Sequence, residues 1–180
     1  MRKITVLAQR TVAAAALGLV ALAAHAQAPL QEHATLLAAV GEQEPVRFVL
    51  TLPYRDPAAV EDFLARLYTP GDALFHQFLS SEEFTERFGP TREQYDALER
   101  AAQDNGLTLE QEHAGRTLLS VSAPAATIRR LFGVQMQRYR SDEGKEYVAP
   151  DGVALAPSGI AALGAAVAGL DHRPAHHHFR

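Results

Sequence analysis

The chain has 180 residues, a formal net charge of −4, and neither cysteine nor tryptophan. At 47% hydrophobic and 21% charged it has the composition of a folded protein rather than a disordered one, and its length suits one domain of roughly 100–150 residues with extensions. The lack of cysteine excludes disulfides, a thiol nucleophile and thiolate metal sites, and the mild acidity argues against a nucleic-acid partner, which needs a basic face.

Arg2, Lys3 and Arg10 carry the only side-chain charges before Glu32, and Thr11 to Ala24 is a 14-residue run of small and apolar residues. Ala24-His25-Ala26 follows, ahead of Gln27. A basic start, a short apolar run and a small-x-small site describe a secretory signal peptide over residues 1–26, cleaved between Ala26 and Gln27. The run is too short to span a bilayer, which takes roughly 20 residues. Its removal takes three basic residues and no acidic ones, leaving a net of −7. The mature protein is therefore expected to be secreted or periplasmic, with no membrane attachment once the signal is gone.

Residues 27–45 read as a flexible leader with one weak helix. Val46–Leu52 is rich in β-formers and stops at Pro53, which predicts a strand. Asp56-Pro57 is a helix start, and Val60, Phe63, Leu64 and Leu67 recur at helical spacing up to Pro70-Gly71. Ser80 with Glu83, and Thr91 with Gln94, are capping-box pairs for two further helices. The first carries Phe84 and Phe88 and closes at Gly89-Pro90; the second carries Tyr95, Leu98, Ala101 and Ala102 and closes at Asn105-Gly106. Leu107–Glu112 and Thr117–Val121 flank the turn His113-Ala114-Gly115 and predict a hairpin. Ser122 and Pro124 open a helix with Ile128, Leu131 and Phe132 facing inward and Gly133 at its end. Val134–Arg140 and Lys145–Val148 predict two strands around Asp142-Glu143-Gly144, and an Ala-rich helix is expected within Ile160–Val167. Phe63, Leu67, Phe84, Phe88, Leu98, Leu119, Val121, Leu131 and Phe132 are expected to share one core. This order predicts an α+β, ferredoxin-like fold, with a split β-α-β antiparallel sheet and helices on one face.

No Gly-x-Ser-x-Gly elbow or phosphate-binding glycine loop is present. Ser80, Ser81 and Ser122 read as caps, Ser120 as a strand residue, and Ser141 and Ser158 as turn residues. His172 and His176-His177-His178 are a possible imidazole cluster, but adjacent histidines cannot all face one ion, and no metal or other cofactor is assigned. His76 and His113 stand alone, and Glu82-Glu83 and Glu110/Glu112 read as caps or strand surface. The residues themselves thus leave a secreted α+β module with no visible catalytic apparatus, suited to a binding, inhibitory or folding role.

Three blocks in order carry a resemblance. The first is Phe48-Val49-Leu50-Thr51-Leu52-Pro53 followed by Ala58–Leu64. The second runs from Leu67-Tyr68-Thr69-Pro70-Gly71 through Phe75-His76-Gln77-Phe78-Leu79 and Phe84 to Phe88-Gly89-Pro90. The third is Leu119–Ser122, Ile128 to Phe132-Gly133-Val134, and Val167–Asp171. Together they resemble the activation prodomain of the sedolisin/kumamolisin serine-carboxyl peptidases, and the second block is the specific one. Phe75 stands where that family usually has tyrosine.

The resemblance implies a ferredoxin-like prodomain over residues 46–171 that packs on a sedolisin-type catalytic domain, assists its folding and blocks its cleft until acid releases it. The family's Ser-Glu-Asp catalytic residues belong to that other domain, so none is assigned here. The chain is then a prodomain portion of a longer precursor, a truncated product or an inhibitor acting in trans. Phe75, His76, Phe78, Leu79, Phe84, Phe88, Gly89, Pro90, Phe132 and Gly133 are its structural motif residues. Asp171, His172, Arg173, Pro174, Phe179 and Arg180 are candidates for a tail, residues 172–180 being its His/Arg-rich part, that lies along the peptidase cleft. The alternatives are a free-standing binding module of the same fold, or a metal-binding protein using the histidine tail.

Overall fold

The computed structural model describes residues 34–174. The expected signal segment with Ala24, Ala26 and Gln27, the run His176–His178, and Phe179 and Arg180 lie outside the described residues. In chain order the elements are β1 (Thr35–Ala39), β2 (Pro45–Thr51), α1 (Pro57–Leu67), α2 (Ser81–Phe88), α3 (Arg92–Asp104), β3 (Thr108–Glu112), β4 (Leu118–Pro124), α4 (Ala125–Phe132), β5 (Met136–Arg140), β6 (Glu146–Pro150), α5 (Ser158–Ala161) and β7 (Ala166–Ala168).

Alternation along β2 divides the molecule. Val46, Phe48 and Leu50 are buried on one side of the strand, while Arg47, Val49 and Thr51 lie on the other. In β4, the antiparallel partner, Ala123, Val121 and Leu119 stand opposite those buried residues. The order β3-β4-β2-β7, antiparallel at every step, is consistent with a ferredoxin-like α+β fold. A second antiparallel sheet has the order β1-β5-β6.

Helices α3 and α4 cover the buried face. Tyr95, Leu98 and Ala102 from α3, and Ile128 and Phe132 from α4, join the β2 and β4 side chains in the main core. The Phe48 and Phe132 rings meet edge to face with centroids 5.4 Å apart, the arrangement aromatic quadrupoles favour. Val60, Phe63, Leu67 and Phe88 form a separate smaller core, with Leu74, Leu79 and Phe84 packed against it. The nine residues expected to share one core therefore divide between two clusters, because α1 and α2 pack on each other rather than under the sheet.

The helix starts follow from local chemistry. Asp56 Oδ1 accepts from the Ala59 amide at 3.0 Å with Pro57 in the first turn. Ser80 with Glu83, and Thr91 with Gln94, form reciprocal capping boxes, each satisfying two otherwise orphaned amides.

Three expectations are corrected. Within the expected leader 27–45, Thr35–Ala39 is a strand paired with β5, and Val40 is buried with its amide bonded to the Met136 carbonyl at 2.9 Å. Its weak local pattern is overridden by the free edge that β5 offers. The expected helix within 160–167 is reduced to the four residues of α5; Gly164, at φ +75, breaks it, and Ala166–Ala168 pair with β2 instead. Ser122 is not a cap: β4 runs on to Pro124, and the Ser122 hydroxyl donates to Glu110 Oε1 at 2.5 Å.

Candidate functional site

The face of β2 and β4 opposite the core is open. The register sets Arg47 beside Ser122, Val49 beside Ser120 and Thr51 beside Leu118, while Ala168 of β7 lies beside Val49. Arg47, Val49, Glu110, Gln111, Ser120 and Gly169 contribute to a shallow groove of about 460 Å³ across this face. Charge on it is sparse: the exposed Arg47 guanidinium lies 4.0 Å from Glu110, and Glu110 accepts a hydrogen bond from the Ser122 hydroxyl. A flat face of small and mildly polar side chains with one charged pair is a surface suited to docking another protein, since little must be desolvated to cover it.

The specific sequence block gathers around the smaller core. Phe88 is buried with its ring centroid 5.3 Å from Phe63 and 5.0 Å from Phe84, and Phe84 meets Tyr54 at 5.7 Å. Pro90 is buried, Leu79 half-buried. Gly89 is required by a close approach, because an added Cβ would lie 2.6 Å from the Thr85 carbonyl oxygen. Phe132 and Gly133 end α4 beside the main core, with Gly133 at φ +71 in the left-handed cap that glycine favours.

Between α1 and α2 the same block makes a surface aromatic cluster. His76 adopts φ +58 and its amide donates to the Leu67 carbonyl at 3.0 Å. Its ring stacks on Phe75 at 3.8 Å and on Phe78 at 5.9 Å. Phe78 is 64% exposed and lies 6.4 Å from Tyr68, itself 65% exposed. Asp72 pins the loop: its carboxylate accepts from the Leu74 amide and pairs with Arg66 at 3.1 Å. The Leu74 amide first, then Arg66, hold Asp72 below the usual carboxylate range.

Two arginines that sequence reasoning missed hold this region to the rest. Arg55 donates from Nε to the Gly89 carbonyl at 2.7 Å and from Nη2 to the carbonyls of Glu86 and Arg87 at 2.5 and 2.9 Å, capping the free end of α2. Arg116, in the β3–β4 turn at φ +54, reaches Glu86 at 2.9 Å. Nothing local in the sequence marks either one; only their contacts with α2 in the folded chain do. Arg87 lies 5.1 Å from both the Phe63 and Phe88 ring centres.

The remaining polar candidates have structural partners. His113 Nε2 is 2.9 Å from Ser120 Oγ, but among the described residues no carboxylate hydrogen-bonds the ring, which a nucleophile–base pair would need for orientation. The Tyr95 hydroxyl donates to the Leu118 carbonyl at 2.8 Å and accepts from the His113 amide at 3.1 Å. Beside it, Arg92 lies 3.6 Å from both Asp96 and Glu112. Burial first, then Glu112 and Asp96, push the Glu99 carboxyl above its ordinary range. Among the described residues no three histidine, aspartate or glutamate side chains are grouped to hold a metal ion.

Of the tail candidates, Asp171, His172, Arg173 and Pro174 fall within the described residues, and His172 and Arg173 are held against the body rather than projecting from it. The His172 amide donates to the Val148 carbonyl at 2.8 Å, and its ring bonds the Arg47 carbonyl at 2.9 Å.

Comparison with known proteins places this geometry. The family described as "Pro-kumamolisin, activation domain" matches residues 32–173. Xanthomonalisin from Xanthomonas sp. (strain T-22) is 37% identical over 74% of this chain and 16% of its own length. Sedolisin from Pseudomonas sp. (strain 101) is 27% identical over 72% of this chain and 22% of its own. Kumamolisin from Bacillus sp. (strain MN-32) is 32% identical over 57% and 18% respectively. The chain thus spans about a fifth of the length of the curated relatives it matches, and the match begins at residue 32, ahead of strand β1. The chain belongs to the pro-kumamolisin activation domain family.

Proposed function

We propose that this protein is the propeptide of a sedolisin-type serine peptidase, exported on a signal sequence cleaved after Ala26, which assists the folding of the catalytic domain and inhibits it until acid releases it. The observation that carries this reading is the family match over residues 32–173, which takes in every element of the described fold. Two features support it. The open face of β2 and β4 is a broad, weakly charged surface on which a catalytic domain can dock, in cis or in trans. The second is the stretch Asp171–Pro174 with Phe179 and Arg180, which we read as the part that covers the cleft, joined to the body through His172.

Acid release follows from ionisation. Carboxylates protonate below about pH 4 while histidines are already cationic, so ionic contacts to the partner weaken and the complex opens. The test is to add the mature protein to an acid-active sedolisin-type peptidase and follow substrate cleavage against pH. Inhibition near neutral pH that fades towards about pH 3–4 is the expected outcome. Failure of the folded protein to bind or inhibit any such catalytic domain across that range overturns the reading, and so does peptidase activity from this chain alone.

A further inference from the structure

Strand β7 pairs with Val49–Thr51 and ends at Ala168. Gly169 then turns the chain at φ +73, a left-handed conformation that favours glycine, in ordinary contact distance of Val49 on β2. The turn sends Leu170 into the main core. His172 follows with both its backbone and its side chain engaged. Its N–H donates to the Val148 carbonyl at 2.8 Å, and its ring nitrogen Nε2 meets the Arg47 carbonyl at 2.9 Å. A carbonyl only accepts, so this contact fixes a proton on Nε2. Val148 belongs to the three-stranded sheet and Arg47 to the four-stranded one, so a single residue ties the two together. Arg173 completes the arrangement: its amide donates to Asp171 Oδ1 at 2.9 Å, and its guanidinium lies 3.4 Å from Asp171 Oδ2 and 5.8 Å from the Tyr147 ring centre.

From this geometry we infer that His172 is the anchor of the domain's exit. It holds the exposed residues 171–173 on the surface of the fold behind the buried Leu170, and so fixes where Pro174 stands. Taken with the propeptide reading, on which this second half rests, it sets how the cleft-covering stretch is presented. A peptidase cleft takes its ligand as an extended strand with backbone groups free to pair. The His172 amide is committed to Val148 and the Arg173 amide to the Asp171 side chain, so these two residues anchor rather than pair with the cleft. The bond to Val148 is open to any residue type except proline, which has no backbone N–H. The bond to Arg47 needs a side-chain donor of this reach, and that makes the identity of residue 172 matter.

The test compares the mature protein with His172→Ala and with His172→Gln, whose amide keeps an N–H donor of similar reach. In hydrogen exchange, His172→Ala should speed the residue-172 and Arg173 amides by about tenfold or more, while α3 and β4 amides exchange as in the parent. His172→Gln should restore protection. Unchanged exchange in the alanine variant, or a glutamine variant as fast as alanine, overturns the anchor. Against an acid-active sedolisin-type peptidase, His172→Ala should inhibit about tenfold more weakly than the parent, because an exit that wanders must be ordered on binding. Faster exchange with unchanged inhibition overturns the role in presentation. If the parent itself does not inhibit, the propeptide reading fails, and the exchange ratio alone decides whether His172 anchors the exit.

Discussion

An added Cβ at Gly89 would lie 2.6 Å from the Thr85 carbonyl oxygen, a backbone atom inside α2 that cannot rotate away. Since φ at Gly89 is −66°, the objection to alanine there is steric and not conformational. Gly89→Ala is expected to lower stability by about 1–3 kcal/mol, as overpacking does, seen as a lower urea midpoint at unchanged slope. Phe132 presents the opposite case. Its ring is buried in the main core and meets Phe48 edge to face, and truncation leaves a cavity that the sheet and α4 are too rigid to close. Phe132→Ala should cost about 3–5 kcal/mol; a loss below about 1 kcal/mol would show that the site relaxes freely. Gly89 and Phe132 could both be singled out from the sequence, one as a helix end and the other as an inward helix position. Arg55 and Arg116 could not, because an arginine that caps a distant helix carries the same local pattern as a solvated one.

At the scale of elements, legibility follows the range of the interaction that defines each one. Helices α1 to α3 announce themselves through Asp56-Pro57, Ser80/Glu83 and Thr91/Gln94, whose partners lie three residues away. Strands β1 and β7 have no such signal: TLLAA and AVA are strands because β5 and β2 have edges to pair with, a fact written far away in the chain. The candidate site divides in the same way, since the aromatic block was readable and the open face became visible only with the register. Titration also acts element by element. Glu99 on α3 has its pKa raised by burial, then by Glu112 and Asp96. Once ionised, above its folded pKa, it opposes folding, and that penalty disappears as pH falls. Asp72 and Glu83 have lowered pKa values, owing first to the amides of Leu74 and Ser80; they stabilise above the unfolded carboxylate range, and the gain is lost as pH falls through their folded values. Acid therefore loosens the α1–α2 region while relieving α3. Glu99→Gln should raise the thermal midpoint near neutral pH, with the gain closing towards about pH 4; equal gains at both pH values would remove Glu99 from this account.

For the whole molecule, the open face is separable from the cores that support it. The Arg47 side chain is largely exposed and its ion pair with Glu110 is long, so Arg47→Ala should leave the thermal midpoint nearly unchanged, as loss of surface pairs usually does. If a catalytic domain docks there, the same change should weaken binding several-fold and reduce its salt dependence, measurable by titration calorimetry at two ionic strengths; unchanged binding would move the docking surface elsewhere. The two sheets also differ in when they can be completed. Ala39 pairs with Gln137, so a strand near the start of the described residues waits for one almost a hundred residues later. At about 5–20 residues per second, β1 emerges from the ribosome and stays without a partner for about 5–20 s, with Val40, buried in the finished fold, still uncovered. A nascent chain halted before residue 137 can build neither β5 nor the edge that receives β1, whatever its helices have already done. The order of synthesis thus keeps the three-stranded sheet open until Pro150 at the end of β6 has been made, an interval in which an export or chaperone machinery meets an unclosed chain.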